Sequence, residues 1–200
     1  MTSRLKLPHG SFSAYIFDLD GTIADSMPVH FQAWTSVLKT YGCEFPEDLF
    51  YSWGGVPTPE IVRMLNEKYG LSMPVDEVLH KKESLYQLYL PQVKPIPEVL
   101  EVIQSQHGKI PFAVVSGGPK ETVRLTLEAL QLGDLFEAVL GAEDYARGKP
   151  APDGFLLAAR KLNVKPQSCL VFEDADLGIA AARAAGMNWV KVNARTSGAQ

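Results

Sequence analysis

Short apolar runs recur at five places along the chain, and each lacks the polar alternation of a strand that is half exposed to water. Such runs indicate parallel strands that other elements cover on both faces. Amphipathic stretches with helical spacing lie before or between the last four runs. Strands that alternate with helices predict an α/β fold with a doubly wound parallel sheet. The predicted strands span residues 14–17, 112–115, 137–140, 169–172 and 189–192, and the predicted helices span 98–106, 120–131, 152–162 and 175–185.

The interval between the first two runs departs from this alternation of strands and helices, because its apolar residues recur with helical spacing throughout. Three helices are predicted there, over residues 28–42, 59–70 and 75–90. We therefore predict a small α-helical cap domain inserted after the first strand, over residues 25–92. Residues 1–24 and 93–200 then form the core domain, and the last residues, 194–200, are expected to fray.

Composition narrows the class of protein. The chain has 200 residues, a net charge of −4 and no block of lysine and arginine, which argues against nucleic acid or an anionic membrane as a partner. No apolar run approaches the roughly 20 residues of a membrane-spanning helix, and the N-terminal stretch lacks a signal-peptide segment. The two cysteines, Cys43 and Cys169, lie far apart without metal-ligand spacing and indicate buried thiols in a reducing compartment. These features predict a soluble cytoplasmic protein.

Two aspartates, Asp18 and Asp20, directly follow the first predicted strand. An Asp-Gly turn that begins a helix would account for Asp20, but it gives no reason for Asp18 at the end of a buried strand. Two carboxylates at close range raise each other's pKa unless a cation lies between them. Because hard divalent ions prefer such oxygen ligands, we predict a Mg²⁺ site here.

Polar groups also follow later strands, at the sheet edge where ligands bind in open α/β folds. The Ser116 hydroxyl and the backbone N–H groups of Gly117 and Gly118 favour an anion-binding turn, although a plain glycine turn is the alternative. Lys149 would place a positive charge beside that anion, whereas a lone loop lysine is usually solvated. Glu173 and Asp174 either cap the next helix or bind a metal, since two acids against a buried strand are unfavourable unless they are paired.

Four segments carry these residues in order: FDLDGTIADS, VVSGG, GKPAPD and FEDADLG. Together they resemble the four motifs of the haloacid dehalogenase-like (HAD) superfamily of phosphotransferases, over nearly the whole chain. The helical insertion resembles the cap of the β-phosphoglucomutase-like branch. Within that branch PTPEIV, GKPAPDGFLLAA and CLVFEDADLGIAAARAAGM are most similar to the YqaB type of bacterial sugar phosphatase. The resemblance implies a HAD-like Rossmannoid core and activity on fructose 1-phosphate or a related ester.

The resemblance also implies residue roles. Asp18 would be the nucleophile that becomes an aspartyl-phosphate, and Asp20 would protonate the departing alcohol and then activate water. Mg²⁺ would be bound by the side chains of Asp18 and Asp174 and by the backbone carbonyl of Asp20. Glu173 would bind it directly or through water. The phosphoryl oxygens would be held by Ser116, Gly117 and Lys149.

In the predicted cap, the resemblance implies four substrate-facing residues: His30, Gly54, Gly55 and Thr58. His30 matches a cap-hinge histidine that engages the general acid, and a histidine satisfied between helices is the alternative. The loop over residues 51–60 matches the specificity loop of the branch but also fits an ordinary turn between helices. Lys81 and Lys82, on the last predicted cap helix, are expected to be solvated, and contact with a sugar hydroxyl or a second phosphate is the alternative.

The predicted specificity loop departs from the mutases of the branch, which carry an arginine there that grips a second phosphate. The stretch GGVPTPE has none, and Thr58 falls near that position. A Mg²⁺-dependent sugar phosphatase is therefore favoured over a β-phosphoglucomutase-like mutase. A phosphoglycolate-type phosphatase and a catalytically inactive binding module stay open as alternatives. We further predict a small-molecule phosphate ester as substrate and a monomeric protein.

Overall fold

The computed structural model describes residues 5–193 and places a five-stranded parallel sheet at the centre of the fold. The predicted strands are all present within two residues of their expected ends. The strands are β1 (Ala14–Phe17), β2 (Ala24–Asp25), β3 (Lys94–Pro95), β4 (Phe112–Val115), β5 (Ala138–Leu140), β6 (Cys169–Glu173) and β7 (Asn188–Lys191). The α-helices are α1 (Met27–Lys39), α2 (Glu47–Ser52), α3 (Thr58–Tyr69), α4 (Val75–Tyr89), α5 (Pro97–Gln106), α6 (Lys120–Ala129), α7 (Asp153–Lys161) and α8 (Asp176–Ala184).

The spatial order of the strands is β5-β4-β1-β6-β7, so the first strand of the chain lies in the middle of the sheet. Its two neighbours, β4 and β6, both pair with it in parallel. The chain therefore winds outward from β1 in both directions, which leaves a crevice beyond the carboxyl ends of the central strands.

Alternate residues of β1 pack against helices on opposite faces of the sheet. Tyr15 and Phe17 lie in one apolar cluster with buried residues of α5 and α6. Ala14 and Ile16 lie in a second cluster with buried residues of α7 and α8. Because strand side chains alternate in direction, a strand without polar alternation needs helices on both sides. The doubly wound α/β architecture predicted from the sequence is confirmed.

The helices α1 to α4 form an insert between β2 and β3, with an apolar cluster of their own that includes Trp34, Leu38 and Leu65. The two short strands pair antiparallel where the chain leaves and re-enters the core. The prediction that this interval is helical throughout was wrong at these strands, because two residues are too few to show a period. The short helix α2 was also missed, because its six residues make fewer than two helical turns.

Other sequence-based expectations concern the cysteines and the chain end. Cys43 and Cys169 are both buried and free, as predicted. Within residues 5–193, no helix has the length and apolar character needed to cross a membrane. The fraying expected at residues 194–200 lies outside the described residues.

Candidate active site

A cavity of about 310 Å³ lies between the carboxyl ends of the central strands and the helical insert. Its walls bring together every site residue predicted from the sequence, from both the core and the insert. These residues are Asp18, Asp20, His30, Gly54, Gly55, Thr58, Ser116, Gly117, Lys149, Glu173 and Asp174. Its size suits a small polar molecule rather than a macromolecule.

Lys149 lies inside this cavity, with only 11% of its side chain exposed. Its Nζ donates to Oδ1 of Asp18 at 2.5 Å and to Oε2 of Glu173 at 2.6 Å. Burial alone would lower the pKa of Lys149, but these two carboxylates raise it above its ordinary value. The alternative of a solvated loop lysine was therefore wrong, and Lys149 carries a buried positive charge.

Asp18, Glu173 and Asp174 place one carboxylate oxygen each within 4.8 Å of one another. Burial and the charge of Glu173 raise the pKa of Asp18 well above its ordinary value, although Lys149 opposes this. The same two causes raise the pKa of Asp174 to about 7. Lys149 contacts only Asp18 and Glu173 of these three acids, so the cluster would carry an excess of negative charge if all three were ionised. This all-oxygen donor set fits Mg²⁺, which such ligands bind together with water.

Two glycines provide the space for these carboxylates. Gly21 has φ of +84°, and a Cβ there would overlap the carboxylate of Asp174. A Cβ at Gly178 would likewise overlap the carboxylate of Glu173. Thr22 also donates to Oδ1 of Asp174 at 3.3 Å, and the Ala175 amide donates to Oε1 of Glu173 at 3.0 Å. The acidic cluster is thus held from several sides.

Replacing Gly21 with alanine should lower the free energy of unfolding by about 2 kcal/mol or more, because a strained φ adds to a steric overlap. It should also weaken the response of the melting temperature to Mg²⁺, since the Asp174 carboxylate must move. The measurements are urea unfolding for the free energy and thermal unfolding for the melting temperature, each with and without Mg²⁺. Gly70→Ala is the matched control, because Gly70 has φ of +63° with nothing within 4 Å of an added Cβ. An equal loss of unfolding free energy in the two variants would show that Gly21 is not needed to make room for the Asp174 carboxylate.

Asp20 makes a separate set of contacts from Asp18. Its Oδ1 accepts from Oγ of Ser26 at 2.6 Å and lies 3.0 Å from Nε2 of His30. Burial alone would raise the pKa of Asp20, but His30 and Ser26, with Lys82 nearby, hold it well below its ordinary value. Burial and the charge of Lys82 in turn lower the pKa of His30. Because a carboxylate can only accept, Nε2 of His30 donates to Asp20 in this contact.

The helix α4 contributes a buried lysine that the sequence analysis placed in solvent. Lys82 has 5% of its side chain exposed, and its Nζ donates to Oε1 of Glu83 at 2.7 Å. It also lies 5.4 Å from the ring centroid of Tyr86. The expectation of a solvated face was wrong for Lys82, whereas Lys81 is 47% exposed as predicted. The spacing of Val78, Lys82 and Tyr86 on one buried helix face was the available signal.

Ser116 contacts both the acid pair and the loop that follows β4. Its Oγ donates to Oδ2 of Asp20 at 3.4 Å and accepts from the Gly118 amide at 3.0 Å. The Gly118 amide is therefore engaged by Ser116 rather than free for an anion. Tyr145, which no motif indicated, donates from its hydroxyl to the Ser116 carbonyl at 2.7 Å and fixes this loop from the β5 side.

The insert closes the other side of the cavity with a loop and an apolar wall. Gly55 has φ of +84°, and a Cβ there would lie 3.3 Å from Leu177 of α8, so this loop approaches the core closely. The apolar wall was not predicted, because helical spacing indicates packing rather than a cavity and because α2, which carries part of the wall, was itself missed. Its members are Met27, Trp34, Phe50, Trp53 and Ile61.

Known proteins resemble this chain in sequence and in fold. A family model described as "Haloacid dehalogenase-like hydrolase" matches residues 15–192. Fructose-1-phosphate phosphatase YqaB of Escherichia coli is 39% identical over 90% of this chain and 96% of its own length. Beta-phosphoglucomutase of Bacillus subtilis is 32% identical over 87% of this chain and 80% of its own length. The structure of CbbY from Rhodobacter sphaeroides with phosphate has a TM-score of 0.81 at 20% identity, covering 89% of this chain and 84% of CbbY.

Proposed function

Because the chain belongs to the haloacid dehalogenase-like hydrolase family, we propose that it is a Mg²⁺-dependent phosphatase acting on a small sugar phosphate, with fructose 1-phosphate as the leading candidate. The phosphatases among its relatives support this class of enzyme. The observation that carries the proposal is the placement of Asp18, Asp20 and Lys149 in one small cavity. We assign residues 1–24 and 93–200 to the catalytic core and residues 25–92 to a cap that covers the substrate.

Asp18 acts as the nucleophile in this proposal. One of its carboxylate oxygens attacks phosphorus, the bond from phosphorus to the sugar oxygen breaks, and an aspartyl-phosphate forms. When bound, Mg²⁺ supplies positive charge that lowers the pKa of Asp18 and neutralises the phosphoryl oxygens. Asp18, Glu173 and Asp174 would hold it, together with the backbone carbonyl of Asp20. Lys149 and Ser116 then bind the remaining phosphoryl oxygens.

Asp20 transfers the proton in both halves of the reaction. It gives a proton to the departing sugar oxygen, and its carboxylate then takes a proton from the water that attacks the aspartyl-phosphate. The contacts of His30 and Ser26 favour the carboxylate form, which is the base of the second half. An entering phosphoryl dianion raises the pKa of a nearby acid, and this favours the protonated form needed first.

The test is phosphate release from a panel of esters with Mg²⁺. We expect turnover of fructose 1-phosphate and of at least one hexitol or hexose monophosphate, and weaker turnover of phosphoglycolate. Chelation of the metal should abolish it. No phosphate release from any ester of the panel would contradict the proposal and favour a binding module.

A mutase is the second candidate, because beta-phosphoglucomutase is among the relatives. Against it, no arginine lines the cavity among the described residues, and the wall includes Thr58, which the sequence resemblance aligns near the arginine of the mutases. Formation of glucose 6-phosphate from β-glucose 1-phosphate faster than phosphate appears would favour the mutase.

The monomeric state and the cytoplasmic location stay predictions. Gel filtration tests the monomeric state.

A further inference from the structure

The proposed substrate cavity contains few groups that can carry positive charge. Within residues 5–193, its lining includes two lysines and one histidine but no arginine. Lys149 is paired with Asp18 and Glu173. His30 is engaged by the other catalytic aspartate, because its Nε2 lies 3.0 Å from Oδ1 of Asp20. Lys82 is paired with neither catalytic aspartate, so among the described cations of the cavity it is the one placed to meet a second anionic group on the substrate.

The charge of Lys82 is already balanced by its neighbour in the chain. Nζ of Lys82 lies 2.7 Å from Oε1 of Glu83, and the side chains of this pair are 5% and 18% exposed. Because both groups are largely shielded from water, their attraction is stronger than that of a surface pair. An incoming anion would have to compete with a carboxylate that is already in place.

Glu83 is also fixed by a contact with the core. Its Oε2 accepts from Oγ1 of Thr122 on α6 at 3.0 Å. One helical turn further, the Tyr86 hydroxyl lies 3.1 Å from Oγ1 of Thr126, so α4 and α6 are joined by two polar contacts. Each oxygen of the Glu83 carboxylate thus has a partner, Lys82 on one side and Thr122 on the other, and these contacts fix its position.

We propose that Glu83 makes the enzyme selective for monophosphates by neutralising Lys82 and by repelling a second phosphate on the leaving group. This inference rests on the proposed phosphatase function and specifies its substrate class as an ester of a neutral polyhydroxy alcohol. Selectivity of this kind comes from a repulsive group directed at the wrong substrate, in addition to contacts with the right one. Sugar hydroxyls can donate to the Glu83 carboxylate, whereas a phosphate group can only repel it.

The test compares fructose 1-phosphate with fructose 1,6-bisphosphate in wild type and Glu83→Gln. Glutamine keeps the shape and still accepts from Thr122, but it leaves the charge of Lys82 unpaired. We expect the ratio of kcat/KM for bisphosphate over monophosphate to rise at least tenfold, which corresponds to about 1.4 kcal/mol. Glu83→Asp, which keeps the charge, should retain the preference for the monophosphate.

The matched control is Glu77→Gln, which removes a carboxylate from an exposed pair with Lys81 on the same helix. Its ratio should stay at the wild-type value, and adding Lys82→Met to Glu83→Gln should cancel the gain. An equal loss of turnover on both esters in Glu83→Gln, or the same gain in Glu77→Gln, would overturn the inference.

A binding measurement separates this inference from the proposed function. In Asp18→Asn protein with Mg²⁺, calorimetry should show tighter binding of the bisphosphate when Glu83→Gln is added. Absence of wild-type turnover with any sugar monophosphate would reject the phosphatase, whatever this binding shows. Turnover by wild type without a change in relative affinity for the two esters would reject the role of Glu83 alone.

Discussion

Asp18→Asn should lower the release of phosphate from sugar phosphates by about 10⁴-fold or more, because an amide oxygen is a far poorer nucleophile than a carboxylate. The exchange is nearly isosteric, and the amide oxygen of the new side chain can still accept from Lys149. The fold should therefore survive. The measurement is the rate of phosphate release with Mg²⁺ at saturating substrate, together with the melting temperature of the variant.

Asp176→Asn is the matched control for that variant. Asp176 follows the same strand end as the acidic cluster, but its side chain is 89% exposed and pairs with Lys191 outside the cavity. Its rate should stay within about twofold of wild type, as surface substitutions usually do little. If Asp18→Asn kept a tenth of the wild-type rate, Asp18 would not be the nucleophile, and direct attack by water would replace the aspartyl-phosphate.

The core of this site could be predicted from sequence because the sheet register determines it. Phe17 pairs with Val114 of β4 and with Phe172 of β6. Asp18 and Glu173 are therefore neighbours as soon as the three strands are recognised, and Ser116 follows one residue further along β4. Parallel strands bring the residues after their ends to one edge of the sheet, whatever the loops between them do.

Residues outside the strand ends were harder to place, because their positions depend on how helices dock. The lysine at position 149 lies in a loop beyond β5, and only its motif indicated a role. The burial of Lys82 depends on the packing of α4 against α6, which involves Thr122 and Thr126. Neither threonine belongs to a motif, and an amphipathic helix pattern does not say which neighbouring helix covers its face.

The roles of Asp18 and Asp20 in the motif FDLDGTIADS can be explained only if a metal ion is included. Without a cation, the pKa of Asp18 is raised and that of Asp20 is lowered, the reverse of what a nucleophile and an acid require. A cation beside Asp18 and a phosphoryl dianion beside Asp20 would shift both values in the required directions. In this proposal the site reaches its working protonation only when metal and substrate are both present.

The acidic cluster should make the stability of the metal-free protein fall as the pH rises. The folded pKa of Asp174 is about 7, against an ordinary value of 3.8, so between these values the folded state binds a proton that the unfolded chain has lost. Its stabilising contribution is complete below pH 3.8 and lost as the pH rises through 7. Allowing for partial solvent exposure, we expect a loss on the order of 2 kcal/mol, or about 5 °C in melting temperature, between pH 5 and pH 8.

Added Mg²⁺ should reverse this loss, because the ion binds the folded carboxylates and competes with protons for them. The increase in melting temperature should therefore be larger at pH 8 than at pH 5, as measured by calorimetry in EDTA and in MgCl₂. Asp174→Asn should lose both the pH dependence assigned to Asp174 and most of the Mg²⁺ response, whereas Asp176→Asn should behave as wild type. The lowered pKa of His30 makes stability rise with pH, which is the opposite sign. This contribution is the same in wild type and in Asp174→Asn, so it cancels when the two proteins are compared. A full Mg²⁺ response in Asp174→Asn would show that the ion binds elsewhere and would remove the reason for three carboxylates at this sheet edge.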